Sequence, residues 1–549
     1  MKDKITKISK ESVRFNTMAI ILIAIFCIAL SPITLQNDTF YTIKIGEHII
    51  QNGIDMKDPF SYHNLEYTYP HWLYDVGIYL VYNIGGQAGI YISTIVLSII
   101  LGLIMYLVNT KLTKNKLTSF VLTIGAMYLL RNYIAARAQL VTFILFLLTV
   151  YFIEMFLETK RKRYAIGLVI IPIIIANVHV AVFPFYFILY LPYIAEYMVY
   201  ILSNSSIIIN TSKITTLEKK IKKTEKEEEI QDLKSRIEKL EERIKVLQER
   251  REKANNNPYK IIIKKNDNVK LLIIIMIICL FTGLLTPLGA TPYTYLIKTM
   301  QGTTTQNISE HLPLTLVQNI EFMCALIIFI VILTFTDTKI RLSDLFMLGG
   351  LVFLTFSTRR QFSIFTLVCT IILNKLVCSM LNKYDPEGCK KLIKRMTGIV
   401  GMIITINLVL IISITNYKKK MNDSFVDEST YPVMAADYIL NNIDIENMRL
   451  YNEYNYGSYL LFRGIPVFID SRADLYSPEF NEDVNVFNDY LDLSGLNIDN
   501  VEEVLDKYGI THLIMYKDAK LRRFIEQDKE RYEELYEDDH FCIYERKQV

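Results

Sequence analysis

The chain has no C-x-x-C pair, no H-x-x-H or H-E-x-x-H spacing, and a single tryptophan in 549 residues. Without paired cysteines, neither a disulfide framework nor a zinc site is indicated. Five of the seven cysteines (Cys27, Cys279, Cys324, Cys369 and Cys378) lie in apolar runs, where a thiol behaves as a small hydrophobe. The missing histidine spacings argue against a dedicated zinc centre. Charge is scarce as well. Charged residues make up 21% and the net charge is +3, which leaves no electrostatic footprint for nucleic acid. No internal repeat stands out. What is abundant is apolar sequence: 51% of residues are hydrophobic and the mean hydropathy is +0.25, more than a soluble chain of this length needs. The composition predicts an all-α polytopic membrane protein.

A span needs about 20 apolar residues. The clearest runs, about eleven and some of them short, are 18–35, 88–108, 117–130, 140–157, 165–178, 181–202, 271–288, 318–336, 345–357, 362–381 and 396–415. The first lies behind Lys2, Lys4, Lys7, Lys10 and Arg14, is too long for a signal peptide and lacks a clean cleavage site, so it reads as a retained anchor. The bias of Lys and Arg predicts a cytoplasmic N-terminus and an outer C-terminus in a cytoplasmic (plasma) membrane. Residues 36–87 and 289–317 then fall outside. Only Lys418, Lys419 and Lys420 lie on the wrong side, next to a long domain where the rule is weak. Lys375, the main ionisable residue within a run, is expected to snorkel to the cytoplasmic side.

Four regions follow: a membrane half over 1–202, an insertion over 203–270, a second membrane half over 271–421 and an outer α/β domain over 422–549. In the insertion, Ile230, Leu233, Ile237, Leu240, Ile244 and Leu247 alternate spacings of three and four, the seam of a coiled coil, and Ile214, Leu217 and Ile221 continue it in a shifted register. A solvated helix or an intramolecular hairpin explains this seam, and self-association or partner docking through 214–253 is the alternative. In the last region, β-like runs at 466–469, 511–515 and 542–544 alternate with helical patterns at 431–441, 501–508 and 518–532.

The first outer loop holds the candidate chemistry. Asp38 emerges just after the first run, at the membrane–water boundary, and residues 39–51 carry apolar side chains at helical spacing that suit an interfacial helix. Asp58-Pro59-Phe60-Ser61-Tyr62 and His71-Trp72-Leu73 follow. Further on come Arg137-Ala138-Gln139, Asn177-Val178-His179 and Arg359-Arg360. The last region carries Asn452, Tyr456-Gly457-Ser458-Tyr459-Leu460 and the stretch Phe468–Tyr476, which contains Asp470, Arg472 and Asp474. In order and spacing these resemble the GT-C superfamily, integral membrane glycosyltransferases that use polyprenyl-phosphate sugars. The similarity is closer to a bacterial GT-C-like group of undetermined substrate. It covers most of the chain outside the insertion.

The resemblance implies an inverting transfer of a hexosyl or pentosyl group from a polyprenyl-phosphate sugar to a glycan, lipid or protein acceptor on the outer face. Such a transfer needs a base for the acceptor proton and cations for the departing phosphate. Asp38 is the expected base, because a boundary aspartate is partly desolvated and takes up a proton more readily. Its ordinary reading is a helix-capping loop acid. Arg131, Arg137, Arg359 and Arg360, all near outer membrane ends, are the expected phosphate ligands, with snorkelling to membrane lipids as the plain alternative. His71 and Trp72 are expected to shape the donor entrance, tryptophan serving as interfacial anchor and sugar platform. All seven histidines, His179 among them, fall on the predicted outer face, where proton handling would take place. Asp470, Arg472 and Asp474 alternate along one face of an extended stretch, either as a salt-bridged docking edge or as acceptor ligands. No motif calls for a cofactor. The superfamily admits a divalent metal, but Asp38 is flanked by Asn37 and Thr39 rather than by a second acid. The rival readings are a transporter or lipid flippase and a non-catalytic scaffold.

Overall fold

The computed structural model describes residues 2–255, 260–302, 304–498 and 500–547. Each apolar run is mainly helical, because Ile, Leu and Phe dominate it and few side chains compete for the backbone; the run 181–202 divides into Phe183–Ile188 and Leu191–Ser203. Six helices are long and apolar enough to cross a membrane: Lys10–Leu30, Trp72–Thr113, Ala138–Thr159, Val180–Ser203, Arg359–Tyr384 and Ile399–Lys418. Lys116–Leu129, Lys162–Val178, Val269–Thr282, Ile320–Phe335 and Leu342–Ser357 have 14 to 17 residues and reach only about 21–26 Å. Polar residues end them early. Asn115, for example, accepts from the amides of Leu117 and Thr118 and starts its helix there.

Two charged residues depart from their expected placement. Lys420 does not follow its neighbours into solvent. It is buried and donates to the carbonyls of Ile28 and Ser31 at the end of the first helix, which pins the last long helix to it. Burial, opposed weakly by Asp423, pushes the Lys420 ammonium down to about 8. Lys375 does not snorkel either. It bonds Glu154 at 2.8 Å and Asp344 at 2.9 Å, while Arg341 reaches Glu154 at 3.5 Å and Glu196 at 2.7 Å. These ion pairs join four helices: Ala138–Thr159, Leu191–Ser203, Leu342–Ser357 and Phe362–Tyr384.

Within the insertion, helices Ser205–Ile221 and Glu227–Asn255 pack against each other as a hairpin. Ile214, Leu217, Ile230, Leu233, Ile237, Leu240, Ile244 and Leu247 are half-buried while most of their neighbours are exposed. The chain then returns across the bundle, where Ile261 and Ile262 pair in parallel with Ile340 and Arg341.

The C-terminal region builds a four-stranded sheet in the order Leu450–Tyr451, His512–Tyr516, Phe541–Arg546, Tyr532–Glu537, the first pair parallel and the others antiparallel. Residues 466–469, expected as a strand, run extended but outside this sheet. The Asn452 side chain takes the place of a neighbouring strand: it accepts from the Phe468 amide at 2.8 Å and donates to the Ile469 carbonyl at 2.7 Å. The helix expected over 518–532 stops after Lys520–Ile525, and Tyr532 begins a strand instead. Tyr532 is buried, Glu533, Glu534 and Glu537 are exposed, and a register shift between Glu534 and Tyr536 interrupts the alternation.

The helix of the first loop is packed on both sides. Helix Asn37–Asn52 is sandwiched between the start of Trp72–Thr113 and helix Tyr454–Phe462. Phe40 is fully buried edge-on to Tyr431 and Tyr459, with ring centroids 5.0 and 5.2 Å away. A Cβ at Gly46 would lie 2.1 Å from the Asp75 carbonyl oxygen, so only glycine permits this approach of the two helices. Helix Trp72–Thr113 itself breaks at Gly86 (φ 57°), which separates the segment packed on the loop helix from the long apolar segment that follows.

Candidate functional site

Four of the motifs converge at the bundle end beneath the C-terminal region. Arg137 stands just ahead of helix Ala138–Thr159 and pairs with Asp38 at 2.6 Å. The expected boundary aspartate therefore has a guanidinium partner. Asp38 does not cap its helix, since Gln36 holds that position. Glu310 bridges Arg137-Ala138-Gln139 to Arg359-Arg360, 3.6 Å from Arg137 and 3.5 Å from Arg360. Burial works against the charge on Glu310, but Arg360 and Arg137 prevail and hold its carboxyl below the usual range.

His71 and His179 face each other with ring centroids 5.0 Å apart, and the Val180 amide donates to the Pro70 carbonyl at 3.0 Å. The Trp72 indole N–H donates to Asn177 Oδ1 at 3.1 Å, and Asn177 in turn donates to the carbonyls of Ile173 and Leu285. The two motifs that contain these residues are therefore stitched together at three points. His179 Nδ1 also meets the Thr142 hydroxyl at 2.9 Å. Gln139, His179, Arg360 and Gln361 line a small cavity of about 30 Å³.

Burial, then Arg360 and Arg137, push the His71 imidazole down to about 3. His179 is lowered by burial, His71 and the same two arginines. Both rings are therefore neutral at pH 7, each with one donor and one acceptor nitrogen. In the unfolded chain a histidine takes up its proton near pH 6.5, which these folded sites refuse. The unfolded state then binds more protons below that pH, so stability is present above about 6.5 and falls as the pH drops. We expect each of the two histidines to lower the unfolding free energy by roughly 2 kcal/mol between pH 7 and pH 5. His71→Gln should reduce that slope in equilibrium unfolding followed at several pH values, and an unchanged slope would exclude His71 as its source.

Arg131 and Arg359 do not join this group. Arg131 pairs with Glu321 at 3.1 Å and stacks on Tyr128, and Arg359 donates to the Pro313 carbonyl at 3.3 Å. In the Asp470-Arg472-Asp474 stretch the expected single face is also broken. Residues 473–476 form a 3-10 turn, which sends Asp474 to the hydroxyls of Thr299 and Thr304 at 2.9 and 3.2 Å. Arg472 lies buried between Asp470 and Asp58 of the first loop, at 2.6 and 2.7 Å. That is the docking role, with D-P-F-S-Y as the other half of the dock. Asp58 also accepts from the amides of Phe60 and Ser61.

Glu310 was not anticipated. It stands in a loop with no apolar periodicity, and its one sequence signal is an acid followed directly by His311. Among the described residues, no group of three or more His, Cys, Asp or Glu side chains is placed to hold a metal ion. At Asp38 the neighbour is a guanidinium, a cation where an ion would have to sit, so the residues present do not fit a divalent metal. Several buried polar atoms here have no hydrogen-bond partner: Asn37 Oδ1, Arg137 Nε and Gln361 Oε1. Each such atom costs about 1–3 kcal/mol unless something completes it. No protein-family model matches the chain, and no curated protein matches it.

Proposed function

We propose that the chain is a membrane glycosyltransferase that moves a sugar from a polyprenyl-phosphate donor to a glycan, lipid or protein acceptor at the outer face of the cytoplasmic membrane. In this reading the fold is GT-C-like, the apolar helices make about eleven passes, the N-terminus is cytoplasmic and the C-terminal domain lies outside. The hairpin is then a cytoplasmic coiled-coil insertion. The observation that carries the reading is the orphaned Arg137 Nε–H, a buried donor in a cluster that also holds Asp38 and Arg360. A phosphate oxygen is the acceptor that such a donor lacks.

Asp38 would take the proton of the acceptor hydroxyl as its oxygen bonds to the anomeric carbon, on the face opposite the departing phosphate. The sugar–phosphate C–O bond breaks, its electron pair leaves on the phosphate, and Arg137 and Arg360 balance that charge. Shifting from Asp38 to the phosphate would also free Arg137's partner to act as base. The neutral His71 and His179 would offer hydrogen bonds to sugar hydroxyls, and Trp72, held by Asn177, a flat apolar face.

The test is a cell-surface glycan and glycolipid profile of the native host, comparing wild type with Asp38→Asn at matched protein level. One species should fall by about 10²-fold or more. A profile equal to wild type, with a full deletion still changing it, would remove Asp38 as the base. A deletion without effect would sink the glycosyltransferase reading itself. The buried ion network around Lys375 is what a transporter or flippase would also contain. Its charges are paired with one another, however.

A further inference from the structure

The opposite end of the same helices holds a second charged cluster that takes no part in the reading above. Glu154 lies about 24 Å along its helix from Ala138, beside Arg137. Around it is a cavity of about 460 Å³, within the size range of small-molecule sites. Five cations line it: Lys264, Lys265, Lys339, Arg341 and Lys375. Its acids are Glu154, Glu158 and Asp344, so positive charge is in excess.

The cations divide into two groups. On the floor, Lys375 and Arg341 are satisfied by Glu154, Asp344 and Glu196. At the mouth Lys264, Lys265 and Lys339 are exposed, and only Lys265 has an acidic partner among the described residues, Asp267 at 3.5 Å. These lysines are not on a loose loop. The Lys264 amide donates to Glu196 Oε1 at 3.0 Å, and Ile261 and Ile262 pair with Ile340 and Arg341. Lys260 caps three carbonyls at the end of helix Ile320–Phe335. The hairpin's return thus fixes the backbone that carries Lys264 and Lys339, which line the same cavity. Like charges held together repel, and an anion between them relieves that repulsion.

We propose that this cavity binds a phosphate-bearing anion, presented either as the headgroup of an acidic membrane lipid or as a soluble phosphate compound. Basic pockets between membrane helices take acidic headgroups by the same chemistry. The residues are distinct from Asp38, Arg137 and Arg360, so the proposal stands or falls independently of glycosyl transfer.

The test compares the full-length protein with Lys264→Gln/Lys339→Gln, both exposed positions that leave the buried ion pairs intact. Lys390→Gln/Lys391→Gln, on the exposed helix Gly388–Met396, is the charge-matched control. In the first arm, native mass spectrometry scores retention of phosphatidylglycerol against phosphatidylcholine. In the second, thermal unfolding is followed with inorganic phosphate against chloride at equal ionic strength. Two lysines near a headgroup contribute enough for a loss of about tenfold or more. Loss of phosphatidylglycerol retention in the mouth variant assigns a lipid. Loss of a phosphate-induced rise in Tm, without a lipid preference, assigns a soluble compound. If neither arm separates the mouth variant from wild type, or the control loses as much, the proposal is overturned.

Discussion

Arg472→Met should destabilise the protein by about 3–5 kcal/mol, because it leaves two buried carboxylates without their counter-charge. The Arg472 side chain is 3% exposed and those of Asp58 and Asp470 are fully buried. Two parallel bonds to Asp470, at 2.9 and 2.6 Å, use one edge of the guanidinium, and Asp58 at 2.7 Å uses the other side. Tyr67 and Phe60 stack against its plane. No other residue type offers that fork, so Arg472→Lys should recover only part of the loss. The effect should appear as early protease cutting in residues 53–70, since Arg472 joins that loop to the C-terminal region. Thermal unfolding measures the magnitude. A Tm within a degree or two of wild type would show that the dock is not what holds the two together.

Arg137→Gln should reduce transfer by about 10²–10³-fold, the scale of losing one charge-stabilising group in a reaction centre. Glutamine keeps hydrogen-bonding capacity near Asp38 and Glu310 but removes the positive charge. Arg137→Lys should fall between wild type and Arg137→Gln, because it restores charge without the two-pronged geometry. Arg131→Gln and Arg359→Gln should leave transfer unchanged, since their side chains bond Glu321 and the Pro313 carbonyl instead. The readout is the same cell-surface species that Asp38→Asn is expected to remove. If all four arginines matter equally, general attraction of anionic lipid, rather than a placed phosphate ligand, is the better account.

The sequence was most legible where a single periodicity decides the outcome. The apolar runs became mainly helical because little in them competes with the helix. The heptad seam from Ile230 to Leu247 marks the face that the hairpin half-buries. Span length was less legible, since a helix ends at its caps and not where its apolar run fades. The C-terminal strands were partly missed for a related reason. Tyr532–Glu537 is rich in Tyr and Glu, reads as a helical surface, and becomes a strand only through pairing with Phe541–Arg546. Asp38, Arg137, His71, His179 and Arg360 were each found as isolated motifs. Glu310 was invisible because its importance lies in the two guanidiniums it touches, and neither is near it in sequence.

The route of the chain through the hairpin has a consequence for how this protein can change over generations. The chain leaves helix Leu191–Ser203 and, after the whole hairpin, returns to hydrogen-bond Glu196 of that same helix through the Lys264 amide. Departure and return are thus neighbours, and everything between them is a detour. Adding or removing heptads in Ser205–Asn255 alters how far the arm projects but not where its base is fixed. Arm length and bundle interior are therefore free to vary under separate selection, like a spoke that can be lengthened without recutting the hub.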